Sequence, residues 1–141
     1  MAETRCADLG ERLTPARLLA YAELVASKKA LSAYELIAKL EKKAAKKIAP
    51  LTVYRHLDFL IRVGLVHRLE SIQSYVACDH PERNHEGQYL LCSQCGQVDE
   101  VESSKVEQLL NQIADNRGFK PINAVIEIAG LCVNCAEQGS K

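Results

Sequence analysis

Three times in the first half of the chain, apolar residues return at helical spacing behind a residue suited to start a helix. Leu18, Tyr21, Ala22 and Val25 follow at i, i+3, i+4 and i+7. Thr14 stands before them as an N-cap, and Pro15 takes the first helical position, where its missing N–H costs nothing. This predicts a helix from Pro15 to about Ser27. Ser32-Ala33-Tyr34-Glu35 is a capping box, and Leu36, Ile37 and Leu40 make the stripe of the helix it opens. Pro50 starts a third helix with Val53, Leu57, Leu60 and Ile61 on one face, and Gly64 is placed to end it in the left-handed conformation.

The period then shortens. Leu65–Glu70 and Tyr75–Cys78 read as a hairpin around Ser71-Ile72-Gln73-Ser74, and pairing Glu70 with Tyr75 would set His67 opposite Cys78. A polar linker, Asp79–Gly87, carries Pro81, His80 and His85. Tyr89–Leu91 and Val98–Val101 read as short strands. Ser104 and Glu107 form a second capping box, and the helix behind it carries Val106, Leu109, Leu110, Ile113 and Ala114 before Gly118. Ile122, Ala124, Ile126 and Ile128 alternate into a last strand. So small a sheet needs cover on its faces or its open edge, and pairing with a second copy would supply it. Residues 1–13 are polar and weakly patterned, Cys6 reads as an incidental thiol, and Gln138-Gly139-Ser140-Lys141 as a loose end.

Helix, capped helix, short turn, helix and hairpin together read as a winged helix-turn-helix. The expected architecture is α+β: a winged-helix DNA-binding domain over 1–78, a hinge linker over 79–87, and a small α/β dimerisation domain over 88–141. The polar face of the third helix begins with Thr52, Tyr54, Arg55 and His56, near its N-terminus. A recognition helix pushes such positions into the major groove, where arginine can hold guanine O6/N7. Arg55 and Tyr54 are the leading base-contact candidates.

Charge changes this picture further. The net charge is zero, yet residues 1–70 carry 13 Lys+Arg against 8 Asp+Glu, and residues 71–141 carry 5 against 10. The basic half suits a polyanion and the acidic half does not. Lys39, Lys42, Lys43, Lys46 and Lys47 crowd the end of the second helix, and Lys42, Lys43 and Arg17 are candidates for phosphate.

Between His67 and Glu100 lie three of the four histidines and three of the six cysteines. Cys92-Ser93-Gln94-Cys95 is matched by Cys132-Val133-Asn134-Cys135, and four thiolates on two tight knuckles can close a structural tetrahedral zinc site. The 36 residues from Gly96 to Leu131 exceed a simple zinc ribbon, so a strand, a helix and a strand must lie between the knuckles. His67 and Cys78, facing each other across the hairpin, hint at a second metal site.

Other classes fall away. No apolar run approaches the ~20 residues that span a bilayer, and the opening Met-Ala-Glu-Thr-Arg-Cys lacks the apolar core of a secretory leader. A reducing cytoplasm is the expected location, where clustered cysteines more often bind metal than pair. No glycine-rich phosphate loop, nucleophile elbow or H-E-x-x-H is present, so no enzyme is expected.

Leu13-Thr14-Pro15-Ala16-Arg17, Leu51-Thr52-Val53-Tyr54-Arg55 with Leu57 and Leu60, Gly64-Leu65-Val66-His67 and the two C-x-x-C pairs resemble, in that order, the ferric uptake regulator family of bacterial metal-sensing repressors. The resemblance implies a winged helix on DNA, a dimerisation domain with a structural zinc, and a regulatory metal at the hinge. Iron-sensing members carry a histidine-rich run before the first C-x-x-C, where Asn84-His85-Glu86-Gly87-Gln88-Tyr89 has one histidine. The wing, Glu70-Ser71 through Ser74-Tyr75-Val76 to Cys78, is instead similar to the zinc uptake regulator branch. That branch implies His67, Cys78, His85 and Glu100 as regulatory ligands, with His80 and Glu102 as alternatives to the last two, and Tyr34 as a further DNA contact. Two zinc ions per chain, a homodimer, operator DNA and repression of zinc uptake genes follow as expectations. A sensor of iron, manganese or peroxide on the same fold, or a zinc-ribbon interaction module without sensing, are the alternatives.

Overall fold

The computed structural model describes residues 2–82, 87–122 and 124–139. Four helices come first: α1 (Ala2–Asp8), α2 (Pro15–Ala26), α3 (Ala33–Ala44) and α4 (Pro50–Arg62). A hairpin of β1 (Val66–Leu69) and β2 (Ser74–Ala77) follows, then β3 (Gly87–Cys92), β4 (Val98–Glu100), α5 (Ser104–Asn116), β5 (Val125–Gly130) and α6 (Val133–Gly139).

Local chemistry starts α2, α3 and α4 where the sequence predicts. Thr14 Oγ1 accepts from the Arg17 N–H at 3.4 Å. Both halves of the Ser32/Glu35 capping box are formed. After α4, Gly64 takes φ +79°, and the Leu65 N–H returns to the Leu60 carbonyl at 2.9 Å, turning the chain sharply into the hairpin.

These helices and the hairpin share one core, centred on Ala20, Leu24, Leu36, Leu40, Val53, Leu57, Leu60 and Leu65. The rotation of α2 differs from the expected stripe: Ala20, Glu23 and Leu24 are buried, while Leu18 and Val25 face out. Its sequence, Leu-Leu-Ala-Tyr-Ala-Glu-Leu-Val-Ala, is apolar on nearly every side, so periodicity could not fix which side packs. The buried Glu23 forms an ion pair with Lys43 of α3. The opening segment is also more ordered than its polarity suggested. Within α1, Cys6 is only 1% exposed and belongs to the core, and Arg5 Nε donates to the Val63 carbonyl at 3.0 Å.

The hairpin register is a correction. Val66 pairs with Ala77 and His67 with Val76, so Cys78 lies opposite Leu65, whose carbonyl accepts its N–H at 2.9 Å. The turn is Glu70–Gln73 rather than Ser71–Ser74, with Gln73 at φ +46°. The slip is an even number of residues, so His67 and Cys78 stay on one face as diagonal neighbours, within reach of a long side chain.

The second sheet has strand order β4-β3-β5, with β4 antiparallel and β5 parallel to β3. The parallel pairing needs the long crossover through β4 and α5. The N-cap of α5 is Ser103, one residue before the predicted box; its Oγ accepts from the Val106 N–H. None of the described residues of α5 is buried, and Leu109 and Ile113 are 57% and 52% exposed. Val125 and Ile128 of β5 are exposed as well, so this apolar surface lies uncovered on a single chain. Gln138 and Gly139 belong to α6 rather than to a loose end. No described helix is long and apolar enough to cross a membrane.

Candidate metal centres and nucleic-acid face

Parallel pairing sets Cys92, the last residue of β3, beside Gly130, the last residue of β5. Both C-x-x-C pairs therefore leave the sheet at the same end. The first turns through Gly96 at φ +79°, and the second leads into α6. The sulfurs of Cys92, Cys95, Cys132 and Cys135 all lie within 4.8 Å of one another, with Cys95 and Cys132 3.8 Å apart. The Cys132 N–H donates to Cys92 Sγ at 3.4 Å and helps hold that thiol down at about 6. Hydrogen bonding to Cys132, with burial, pushes Cys135 up to about 12. Four soft donors at this spacing, one already favouring the thiolate, fit a structural zinc.

A second group forms where the hairpin meets the other sheet. Donor atoms of His67, Cys78 and Glu100 lie within 4.8 Å of one another. His67 Nε2 is 3.6 Å and Cys78 Sγ 3.9 Å from Glu100 Oε1, while Glu100 Oε2 accepts the Asp79 N–H at 2.8 Å. The Glu100 side chain is 2% exposed. Burial pushes the Cys78 thiol up to about 12, and the neighbouring Glu100 charge adds to this against the His80 N–H. The Tyr89 ring lies 5.7 Å from the His67 ring and supports it from the sheet side. A thiol, an imidazole and a carboxylate, gathered and shielded from water, fit a zinc ion better than a hard cation.

His85 lies outside the described residues. The side chains of His80 and Glu102 are not among these clustered donors, although the His80 N–H donates to Cys78 Sγ at 3.4 Å; His80 Nδ1 is 3.4 Å from Glu82 and its Nε2 3.8 Å from Glu102.

The nucleic-acid candidates divide. Thr52, Tyr54 and Arg55 are exposed together on the first turns of α4, and His56 is half-buried beside them. Burial, helped by the Arg17 charge, holds His56 below the usual imidazole range. Tyr34 is 75% exposed at the start of α3, and Lys42 is exposed near its end. Lys43 pairs with Glu23, and Arg17 stacks over Phe59 at 3.7 Å while donating to the Arg12 carbonyl at 2.7 Å. Those two cations already help join the helices. Sequence reading missed one contact of the wing tip, from the Ser71 N–H to Glu127, and only the lone acid within Val125–Gly130 signalled it.

The ferric uptake regulator family model matches residues 8–129. The chain belongs to that family. It is 40% identical over 139 residues to the zinc uptake regulation protein of Escherichia coli (strain K12), covering 96% of this chain and 80% of the relative. A solved zinc uptake regulator complexed with zinc and DNA superposes with a TM-score of 0.94 at 38% identity, covering 99% of this chain and 93% of that one. The holo form of XcZur gives 0.86 at 39% identity over 96% and 94% of the two chains. Its apo form, at the same identity and over 96% and 93%, gives 0.54.

Proposed function

We propose that this chain is a zinc-responsive transcriptional repressor that binds operator DNA as a homodimer when its regulatory site is filled, and so controls genes of zinc uptake and homeostasis. The observation that carries this reading is the convergence of His67 and Cys78, from the hairpin, on Glu100, from the second sheet. His85, in the segment between, completes the set as fourth ligand. These four residues would hold the ion, and zinc would supply ligand bonds that join the wing to the sheet. A second ion on Cys92, Cys95, Cys132 and Cys135 brings the count to two per chain.

Residues 1–78 then form the DNA-binding domain, 79–87 the hinge and 88–141 the dimerisation domain. Thr52, Tyr54, Arg55, His56 and Tyr34 are then the groove contacts and Lys42 a phosphate contact, which Arg17 and Lys43 join by exchanging their partners Arg12 and Glu23 for phosphate. The uncovered apolar surface of α5 and β5 suits a second copy of the chain. Ligation changes DNA affinity only by as much as it favours the DNA-competent arrangement over others. The far better superposition on holo than on apo XcZur at equal identity supports the view that the arrangement described is the ligated one. A regulator of this kind works in the bacterial cytoplasm and catalyses nothing.

Metal counting tests the reading. The purified dimer is expected to hold about two zinc per chain and its Cys78→Ser variant about one, at free zinc that saturates the former. Equal counts in both would contradict it.

A further inference from the structure

Glu100, Tyr89 and Glu127 stand side by side on β4, β3 and β5, because Tyr89 is the register partner of both carboxylates. Directly paired residues share a face. All three meet the hairpin: Glu100 at His67 and Cys78, Tyr89 at the His67 ring, and Glu127 at the wing tip. The last contact is specific. The Ser71 N–H donates to Glu127 Oε2 at 3.0 Å. The Glu70–Gln73 turn returns its own Gln73 N–H to the Glu70 carbonyl at 3.4 Å, which leaves the Ser71 N–H, at the second turn position, pointing outward. Glu127 Oε1 and the Tyr89 hydroxyl are buried without a hydrogen-bond partner among the described residues. One carboxylate oxygen is thus withdrawn from water, while the hydrogen bond to Ser71 lies at the exposed surface.

We propose that Glu127 is a positioning residue, a latch that holds the wing tip on the second sheet and so keeps His67 and Cys78 near Glu100. This rests on the regulatory-site reading above. Neither Glu127 nor Ser71 belongs to the His67–Cys78–Glu100 group, so the latch acts without using a ligand. Leu69 of the hairpin also packs on Tyr89 and Leu91 of β3, and to this non-directional apolar contact the Ser71–Glu127 hydrogen bond adds a directional one at the wing tip. A contact made only in the docked arrangement raises metal affinity, because less of the chain must be reorganised on binding.

Two readouts on the full-length dimer test this. The first is hydrogen exchange of the Ser71 amide in protein carrying only the four-cysteine zinc. The second is affinity for a further zinc, by competition with a chromophoric chelator. Glu127→Ala is expected to speed Ser71 exchange about 10-fold and weaken further zinc about 3- to 10-fold, the net worth of one ordinary hydrogen bond. Glu127→Gln keeps an acceptor and should stay within about 2-fold of the parent on both. Ser71→Pro removes the donor from the other side, at a turn position that proline favours, and should weaken zinc as Glu127→Ala does. The double variant should be no worse than either single one. Unchanged Ser71 exchange in Glu127→Ala, a Gln variant no better than Ala, or additive losses in the double variant would overturn the latch. A parent chain that takes up no further zinc would overturn the regulatory-site reading instead, and Ser71 exchange would still decide the latch.

Discussion

His67 Nε2 lies 3.6 Å from Glu100 Oε1, joining a wing strand to the far edge of the second sheet. Cys78, diagonal to His67 on the same hairpin face, reaches the same carboxylate oxygen. Two side chains of the wing thus meet at one carboxylate oxygen of the second sheet. Removing a single donor should undo the sensing while sparing the fold.

Cys78→Ser replaces a soft donor by a poor one and is expected to weaken the regulatory zinc at least ~10-fold, on the order seen when metal-site partners are lost. Zinc-dependent DNA binding should go with it, and sedimentation should still report a dimer. A Cys78→Ser variant that responds to zinc as the parent does would remove this residue from the site.

Cys95→Ser and Cys132→Ser should behave differently. A structural zinc contributes about 10–16 kcal/mol of apparent binding free energy to small domains that depend on it. Loss of one thiolate from the pair standing 3.8 Å apart should abolish stable dimer and cooperative melting of the second sheet. A thermal melt and sedimentation would show it; a dimer as stable as the parent would argue against a structural role.

Proton release follows from the Cys78 thiol, which burial holds at about 12 in the metal-free chain. At neutral pH it is protonated, and ligation requires the thiolate. Zinc uptake at this site should therefore release about one proton from Cys78 and tighten about 10-fold per unit rise in pH. Calorimetry in buffers of different protonation enthalpy would measure the release; affinity independent of pH would contradict it.

On the DNA face, Arg55→Ala should cost about 1–3 kcal/mol and relax specificity at one base pair. Lys42→Ala should weaken all sequences alike and reduce the salt slope by about one. Binding titrations at several salt concentrations separate the two.

Most of the elements, and the four-cysteine cluster, were legible because their signals are local, whereas Glu100 joined His67 and Cys78 only through the family resemblance. Thr14-Pro15, Ser32 with Glu35, and Gly64 each satisfy or end a helix through their own backbone, and the two C-x-x-C pairs announce a shared site whatever lies between them. The hairpin register was not local. Its turn comprises Glu70–Gln73, and the bridge between Leu31 and Tyr75 comes from a segment far away in sequence. The amphipathic stripe of α5 was visible, yet its Leu109 and Ile113 cover nothing in one chain. The order of α1 was hidden because its anchors, Arg5 to the Val63 carbonyl and Cys6 in the core, are long-range.

The most direct measurement is DNA binding by the purified dimer against buffered free zinc, with bound metal counted per chain at each point. The probe is a duplex selected by the zinc-saturated dimer from a random-sequence pool. Binding that rises as occupancy goes from about one to about two zinc per chain is the result expected of a structural zinc at the four cysteines and a separate, weaker regulatory zinc at His67, Cys78 and Glu100. Binding that is complete at one zinc per chain, or that follows iron or manganese instead, would contradict a zinc sensor at the hinge.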